Sequence, residues 1–386
     1  MPLISPDNNF ALMAILFVIA GTAFLAEKTR IGAHLTGAVI AILAAIAVAN
    51  IGVIPHSAPA YDFVFSYFVP VLIPLFLFKA DLRHMFFETT RMTMAFLIAA
   101  FGTIAGVIVA VGLLDLEALA PAAQLDPALR EAAIAGLFTS TYIGGSVNYA
   151  ALGEITGLSG DASFFSAATA TDNLFSAVFL GIIAVLPGWN WLARRFVGHD
   201  HGEEQAADTS PERISAASLT LAMACAISFV ALGDFITTLI GAASLRYAII
   251  TSLVLIAATA FPRLMERLHG GFELGVGLAF VFFAAIAAGA DIVAMVQIAP
   301  LLIVLVVILL SVHLAILLSV GKLFRLSLPE LVTASNAAVL GATTAPALAA
   351  AKGWHDLVTP GVLVGVFGYA LGTFAGTAIF HLWGLI

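Results

Sequence analysis

Apolar runs long enough to cross a bilayer recur along the whole chain. They fall near residues 10–27, 33–54, 63–79, 92–114, 131–153, 162–187, 215–241, 245–262, 272–290, 297–320, 330–351 and 358–384. A run of 18 or more such residues reads as a membrane span. In hydrocarbon every backbone N–H and C=O must find its partner inside the protein, which leaves helices and closed barrels. The runs are continuous rather than alternating, which excludes a barrel. The chain is 62% hydrophobic and 10% charged, where a soluble domain carries about 25% charged residues. The expected class is an all-α polytopic membrane protein, with no polar stretch long enough for a second domain. The net charge of −8 is spread over loops, with no basic tail or patch, so lipid is an expected partner and nucleic acid is not. Cys225 is the lone cysteine and sits in an apolar run, so no intramolecular disulfide forms. The N-terminus lacks Lys and Arg before the first run, which is therefore expected to stay as a span.

Two of the runs are interrupted in the same way. The first contains Thr139-Ser140-Thr141-Tyr142-Ile143-Gly144-Gly145-Ser146-Val147-Asn148-Tyr149. The second contains Thr333-Ala334-Ser335-Asn336, then Gly341-Ala342-Thr343-Thr344-Ala345-Pro346. Unwound backbone at membrane depth survives only where protein buries it or a cavity wets it. Paired interruptions in matching places point to the substrate site of a secondary transporter.

Charge sets the number of crossings. Lys28/Arg30, Lys79/Arg83/Arg91, Arg194/Arg195/Arg213, Arg263/Arg267 and Lys322/Arg325 mark cytoplasmic connections. The acidic connection 115–130 (Asp115, Glu117, Asp126) reads as external, which places the N-terminus outside. Passing from there to a cytoplasmic 188–214 needs an odd number of crossings. Run 131–153 therefore reads as a re-entrant hairpin, and 330–351 as its counterpart; crossing broken helices are the alternative. Each half then holds five spans and one re-entrant or broken element, and an odd number of spans inverts one half relative to the other. The division is 1–187 for the first inverted repeat, 188–214 for a polar cytoplasmic linker and 215–386 for the second repeat. Phe78-Lys79-Ala80-Asp81-Leu82 resembles Ala288-Gly289-Ala290-Asp291-Ile292. Setting Gly145 on Gly341 brings Gly157 onto Gly353 and Asp172-Asn173 onto Gly368-Tyr369.

Asp172 is the foremost candidate for chemistry. A carboxylate inside an apolar run is costly, about 2.5–3.5 kcal/mol on insertion scales, and marks a functional site by default. Thr171, Asn173 and freed carbonyls could complete an oxygen shell for Na⁺, and a proton could take the same carboxylate. The candidate substrate contacts are Ser140, Thr141, Gly144, Gly145, Ser146, Asn148, Ser335, Asn336, Thr343 and Thr344, since helix ends at the breaks would present free N–H groups to an anion. Tight packing through small residues explains the same pattern without a substrate. Asp234 reads equally as interfacial or functional. Asp81 and Asp291 read as solvated caps, His313 as a packing residue, His381 as interfacial and His199/His201 as a solvated loop rather than a metal site. Pro70 and Pro74 kink the third span.

Pro70–Arg83, Thr141–Tyr149 and Ala170-Thr171-Asp172-Asn173-Leu174 together resemble the YjcL-like membrane proteins, and the resemblance extends over nearly the whole chain. It implies membership of the cation:proton antiporter and anion transporter superfamily, with inverted repeats, a scaffold, a mobile core and elevator-like alternating access. It maps the discontinuous elements onto 139–149 and 333–346 and the ion-binding carboxylate onto Asp172. Antiporters of that group often carry Asp-Asp or Asn-Asp, whereas this chain has Asp172-Asn173, acidic residue first.

The expected function is a cation-coupled secondary transporter of a small, anionic organic solute, with Na⁺ as coupling ion and H⁺ as the alternative. It is expected to lie in a bacterial inner membrane as a homodimer, without cofactor or bound structural metal. A monovalent cation/proton antiporter is the second reading, and a pore or lysis-regulating protein a third. An intramembrane enzyme finds no support in the motifs: there is no His-Glu-x-x-His, no Gly-x-Ser-x-Gly and no catalytic cysteine context.

Overall fold

The computed structural model describes residues 2–29, 37–83, 89–123, 125–199, 214–241, 245–290 and 292–383. Asp291, His201 and Arg213 lie outside the described residues, as does the side chain of Ser146. The main elements are α1 Asn9–Glu27, α2 Gly37–Asn50, α3 Pro59–Leu77, α4 Thr90–Leu113, α5 Arg130–Thr156, α6 Ala162–Val185 and α7 Ala216–Ile240. They continue with α8 Arg246–Ala260, α9 Gly271–Ala288, α10 Ile292–Leu323, α11 Leu328–Val339, α12 Thr344–Ala351 and α13 Val358–Leu382. Among the described residues eight helices are long and apolar enough to cross a membrane: α1, α3, α4, α6, α7, α9, α10 and α13. Helices α2 and α8 are shorter apolar elements. The chain is an all-α membrane protein.

The helices pack in two groups. One comprises α1–α3 and α7–α9; the other comprises α4–α6 and α10–α13. With no hydrophobic force between helices in lipid, close packing of small residues does much of the joining. In the second group α4 crosses α10 through Gly102 and Gly106. A Cβ at Gly102 would stand 3.0 Å from the His313 carbonyl oxygen. Helix α13 acts as a glycine spine: Gly368, Gly372 and Gly376 receive α5, while Gly361 and Gly365 receive α11 and α12.

Both interrupted segments turn back on themselves. Gly376 lies against Gly136 and Ser140 and also against Leu152. A straight helix would separate residues 136 and 152 by roughly 24 Å at about 1.5 Å per residue. The reversal sits at Gly145, whose φ of 71° and ψ of −171° are open essentially to glycine alone. In the second segment Gly361 lies against both Thr333 and the Ala345–Pro346 peptide, and Gly365 against Ala342. Its turn contains Gly341 at φ 99°. Gly157 and Gly353, which close the two segments, stand at φ 76° and 75°. The register that pairs Gly145 with Gly341 thus pairs two further glycines of positive φ as well.

The hairpins enter from opposite ends of α4. Next to its end, the first is anchored by Glu131, which accepts from the Leu116 N–H at 3.2 Å, and by Arg130, which donates to the Glu117 carbonyl at 3.0 Å. Asp161 adds a hydrogen bond from the Ala122 N–H (2.9 Å) and caps α6 through Phe164 N–H. At the start of α4, Arg91 grips Glu330 with two bonds, 2.6 and 2.9 Å, and donates to the Arg325 carbonyl. Glu330 in turn forms a capping box with Ser327. The described end of the linker reaches the same base: Val197 bridges to Ser327, and His199 contacts Ser327 and Asp356.

Candidate functional site: a cavity at the hairpin tips

The two tips meet beside one side chain. A Cβ at Gly145 would lie 3.9 Å from the Tyr369 ring, and one at Gly341 would lie 3.6 Å from its hydroxyl. There the structure forms an open cavity of about 370 Å³. The hairpin group supplies Gly145, Asn173, Ser176, Thr343, Thr344 and Tyr369. The opposite wall comes from α1, α3 and α9, with Glu27, Phe76, Phe272, Phe280 and Phe283. Phe76, Phe272 and Tyr369 form a cluster of edge-on and tilted rings, with centroids 5.1, 5.5 and 6.4 Å apart. A second cavity of about 200 Å³, which includes Lys79, Glu273 and Thr343, shares Phe76 and Phe272 with the first. The kinks available at Pro70 and Pro74 lie within the two turns of α3 that lead to Phe76.

Asp172 is buried behind this cavity. Thr141, on the first arm of the first hairpin, donates to its Oδ2 at 3.1 Å. Its Oδ1 is buried and has no hydrogen-bond partner of good geometry among the described residues. The hydroxyls of Tyr142 and Ser176 lie around the same carboxylate. The Tyr142 Oη is also buried without a well-formed partner. Thr171 is buried next to Asp172 in the same helix. Ser176 belongs both to this surround and to the cavity wall, so it links the carboxylate to the open space. An unpaired carboxylate oxygen among hydroxyls is an oxygen-rich setting suited to a hard cation. An unsatisfied buried polar atom carries a cost of about 1–3 kcal/mol, which a bound cation or proton would relieve.

Several candidate substrate contacts face inward instead. Asn148 donates to the Gly368 carbonyl (3.2 Å) and accepts from Thr373 (2.6 Å), pinning the first hairpin to α13. Asn336 donates to the Thr344 carbonyl (3.1 Å) and accepts from the Thr344 hydroxyl (2.8 Å), which staples the second turn. Ser140 donates to the Leu137 carbonyl, and Gly144 abuts the Gly368 carbonyl. Ser335 meets His313 Nε2 at 2.9 Å. On the other side of that ring, Nδ1 lies 2.9 Å from Thr103, whose hydroxyl donates to the Tyr142 carbonyl. One hydroxyl proton cannot serve two acceptors, so His313 donates from Nδ1 to Thr103. It thereby ties both hairpins to α4. Asp234 is held by Arg246, at 2.5 and 3.0 Å, away from the cavity.

Of the sequence candidates, Gly145, Asn173, Thr343 and Thr344 line the cavity. Ser176, Tyr369, Glu27 and the four phenylalanines do so unannounced by any motif. The signal for Tyr369 lay in the register that sets it opposite Asn173. At each tip one helix ends where the next begins, so opposing dipole ends sit side by side. The described lining holds a carboxylate but no Lys, Arg or His.

The family described as "Protein of unknown function (DUF819)" matches residues 14–382. The "Uncharacterized membrane protein YjcL" of Bacillus subtilis (strain 168) is 35% identical over an alignment covering 97% of each chain. The chain belongs to the DUF819 family of membrane proteins, to which it is related along essentially its whole length.

Proposed function

We propose that this protein is a secondary active transporter that couples the movement of a small organic solute to a cation, Na⁺ in the first instance. The observation that carries this reading is the convergence of two hairpins, entering from opposite faces, on one cavity backed by a buried carboxylate with a free oxygen. Solute would sit in the cavity between Tyr369 and the hairpin tips. The ion would sit at Asp172, with hydroxyls of Tyr142 and Ser176 as further ligands. The two halves are read as inverted repeats, as in the cation:proton antiporter and anion transporter superfamily. Helices α4–α6 and α10–α13 form the moving core; the other group is the scaffold and dimer face, in an inner membrane with the N-terminus outside. Ser176 gives coupling a physical route, because ion binding at the carboxylate positions a residue that the solute touches.

The test is thermal unfolding of the purified protein across NaCl, with KCl as the ionic-strength control. A ligand specific to the folded state adds about 2.7 kcal/mol of stability at a hundred times its Kd. Stabilisation selective for Na⁺ that vanishes in Asp172→Asn is the expected result. A wild-type protein indifferent to Na⁺ would overturn sodium coupling, and flux driven by a pH jump in proteoliposomes would then test for a proton at the same carboxylate.

A further inference from the structure

Glu27 and four phenylalanines face the hairpin tips across the cavity, and this wall bears on the charge of the solute. Resting on the transporter reading above, we infer that the solute is a small organic cation, such as an alkylammonium or quaternary ammonium ion. Glu27 ends α1 and supplies the carboxyl group on the described lining. Around it the scaffold contributes Phe76, Phe272, Phe280 and Phe283, and the core contributes the Tyr369 ring. Ring faces carry negative quadrupole potential, and a cation desolvated over them gains about 2 kcal/mol or more. The polar atoms that remain are neutral: Asn173, Ser176, Thr343, Thr344 and the Tyr369 hydroxyl. These can accept from an ammonium or orient a neutral tail, whereas an anion would find the Glu27 carboxyl group. A volume of about 370 Å³ is at the small end of ligand sites, of order 300–1,000 Å³, and fits a compact ion rather than a steroid or lipid. Phe280 is braced from behind by Phe24, stacked at 4.3 Å, so its orientation is fixed before any ligand arrives.

The experiment measures thermal stabilisation and proteoliposome uptake in constant NaCl with three kinds of probe. Choline, tetraethylammonium and butylammonium are the cations, 3,3-dimethyl-1-butanol is the neutral isostere of choline, and pyruvate and succinate are the anions. At least one cation should stabilise and be taken up, while the neutral isostere and the anions do not. Glu27→Gln and Phe280→Leu should each weaken its apparent affinity by about 5- to 30-fold. Both variants should keep the Na⁺ response, which depends on Asp172 and reports that the fold is intact. Response to an anion or to the neutral isostere instead of the cations would overturn the charge assignment and leave the transporter reading standing. So would failure of all the cations in a protein that still responds to Na⁺. Loss of both the Na⁺ response and all uptake would strike the transporter reading itself.

Discussion

Gly145 and Gly157 sit on the same hairpin and both have positive φ, yet they tolerate different replacements. Gly157 adopts φ 76° and ψ 5°, the left-handed helical region that ends helices and that Asn also visits. Gly145 adopts φ 71° and ψ −171°, a region essentially closed to any side chain. Gly157→Asn is therefore expected to unfold within about 1–2 kcal/mol of wild type. Gly145→Asn is expected to lose about 1–3 kcal/mol and to lose uptake as well, because the altered turn forms part of the cavity wall. Denaturant unfolding and flux on the two variants separate these outcomes; equal effects would mean that the tip has another backbone geometry. The contrast explains what the sequence disclosed at this scale. Gly144-Gly145 and its partner Gly341 were legible as breaks, because each stands among hydroxyl and amide residues in an otherwise apolar run. Asp172 was legible because burying charge is costly. Asn148, Asn336, Ser140 and Ser335 misdirected the reading, since an amide or hydroxyl that holds a hairpin together has the same letters as one that binds a ligand.

At the scale of the element, a re-entrant hairpin must be held at its open end, since its tip cannot reach the far side. The Arg91–Glu330 contact does this for the second hairpin. The Glu330 side chain is 7% exposed and the Arg91 side chain 58%, so the arginine brings its charge to a nearly buried acceptor. Removing Arg91 leaves that carboxylate with Ser327 alone. Arg91→Ala is expected to cost about 1–3 kcal/mol, the penalty of an unsatisfied buried group. Arg91→Ala combined with Glu330→Gln should cost less than the sum of the single changes, because the second change removes the charge that the first stranded. Strict additivity in a denaturant-unfolding cycle would show the pair to be solvated and idle. The hairpin reading itself came from counting charges along the chain, since loop charge biases which side a loop occupies. The pairings that fix the hairpins in space, such as Glu131 with Leu116 or Glu330 with Arg91, join residues far apart in sequence or use backbone atoms. No local pattern announces them.

For the whole molecule the question is whether the two helix groups move against each other. Their shared surface is made largely of rings and small side chains. Phe76 and Phe272 lie against Tyr369, Phe282 lies edge-on to Phe165, and the end of α9 meets the start of α6 where Gly289 approaches Ala162. Such a surface offers little directional bonding to oppose sliding, unlike the ion pair and hydrogen bonds that brace each hairpin inside its own group. A covalent tie across it should therefore stop transport without disturbing the ion site. A Cβ at Gly289 would lie 2.9 Å from the Ala162 Cβ, and a disulfide spans about 3.5–4.5 Å between Cβ atoms, so a small relaxation admits the bond. In a Cys225→Ser background, oxidised Ala162→Cys/Gly289→Cys is expected to show no uptake and to regain it on reduction. Its stabilisation by Na⁺ should be the same in both states, because Asp172 and its hydroxyls lie within one group and move as a unit. Full uptake by the cross-linked protein would mean that the groups do not move apart at this edge, and alternating access would have to come from the hairpins opening on a static frame.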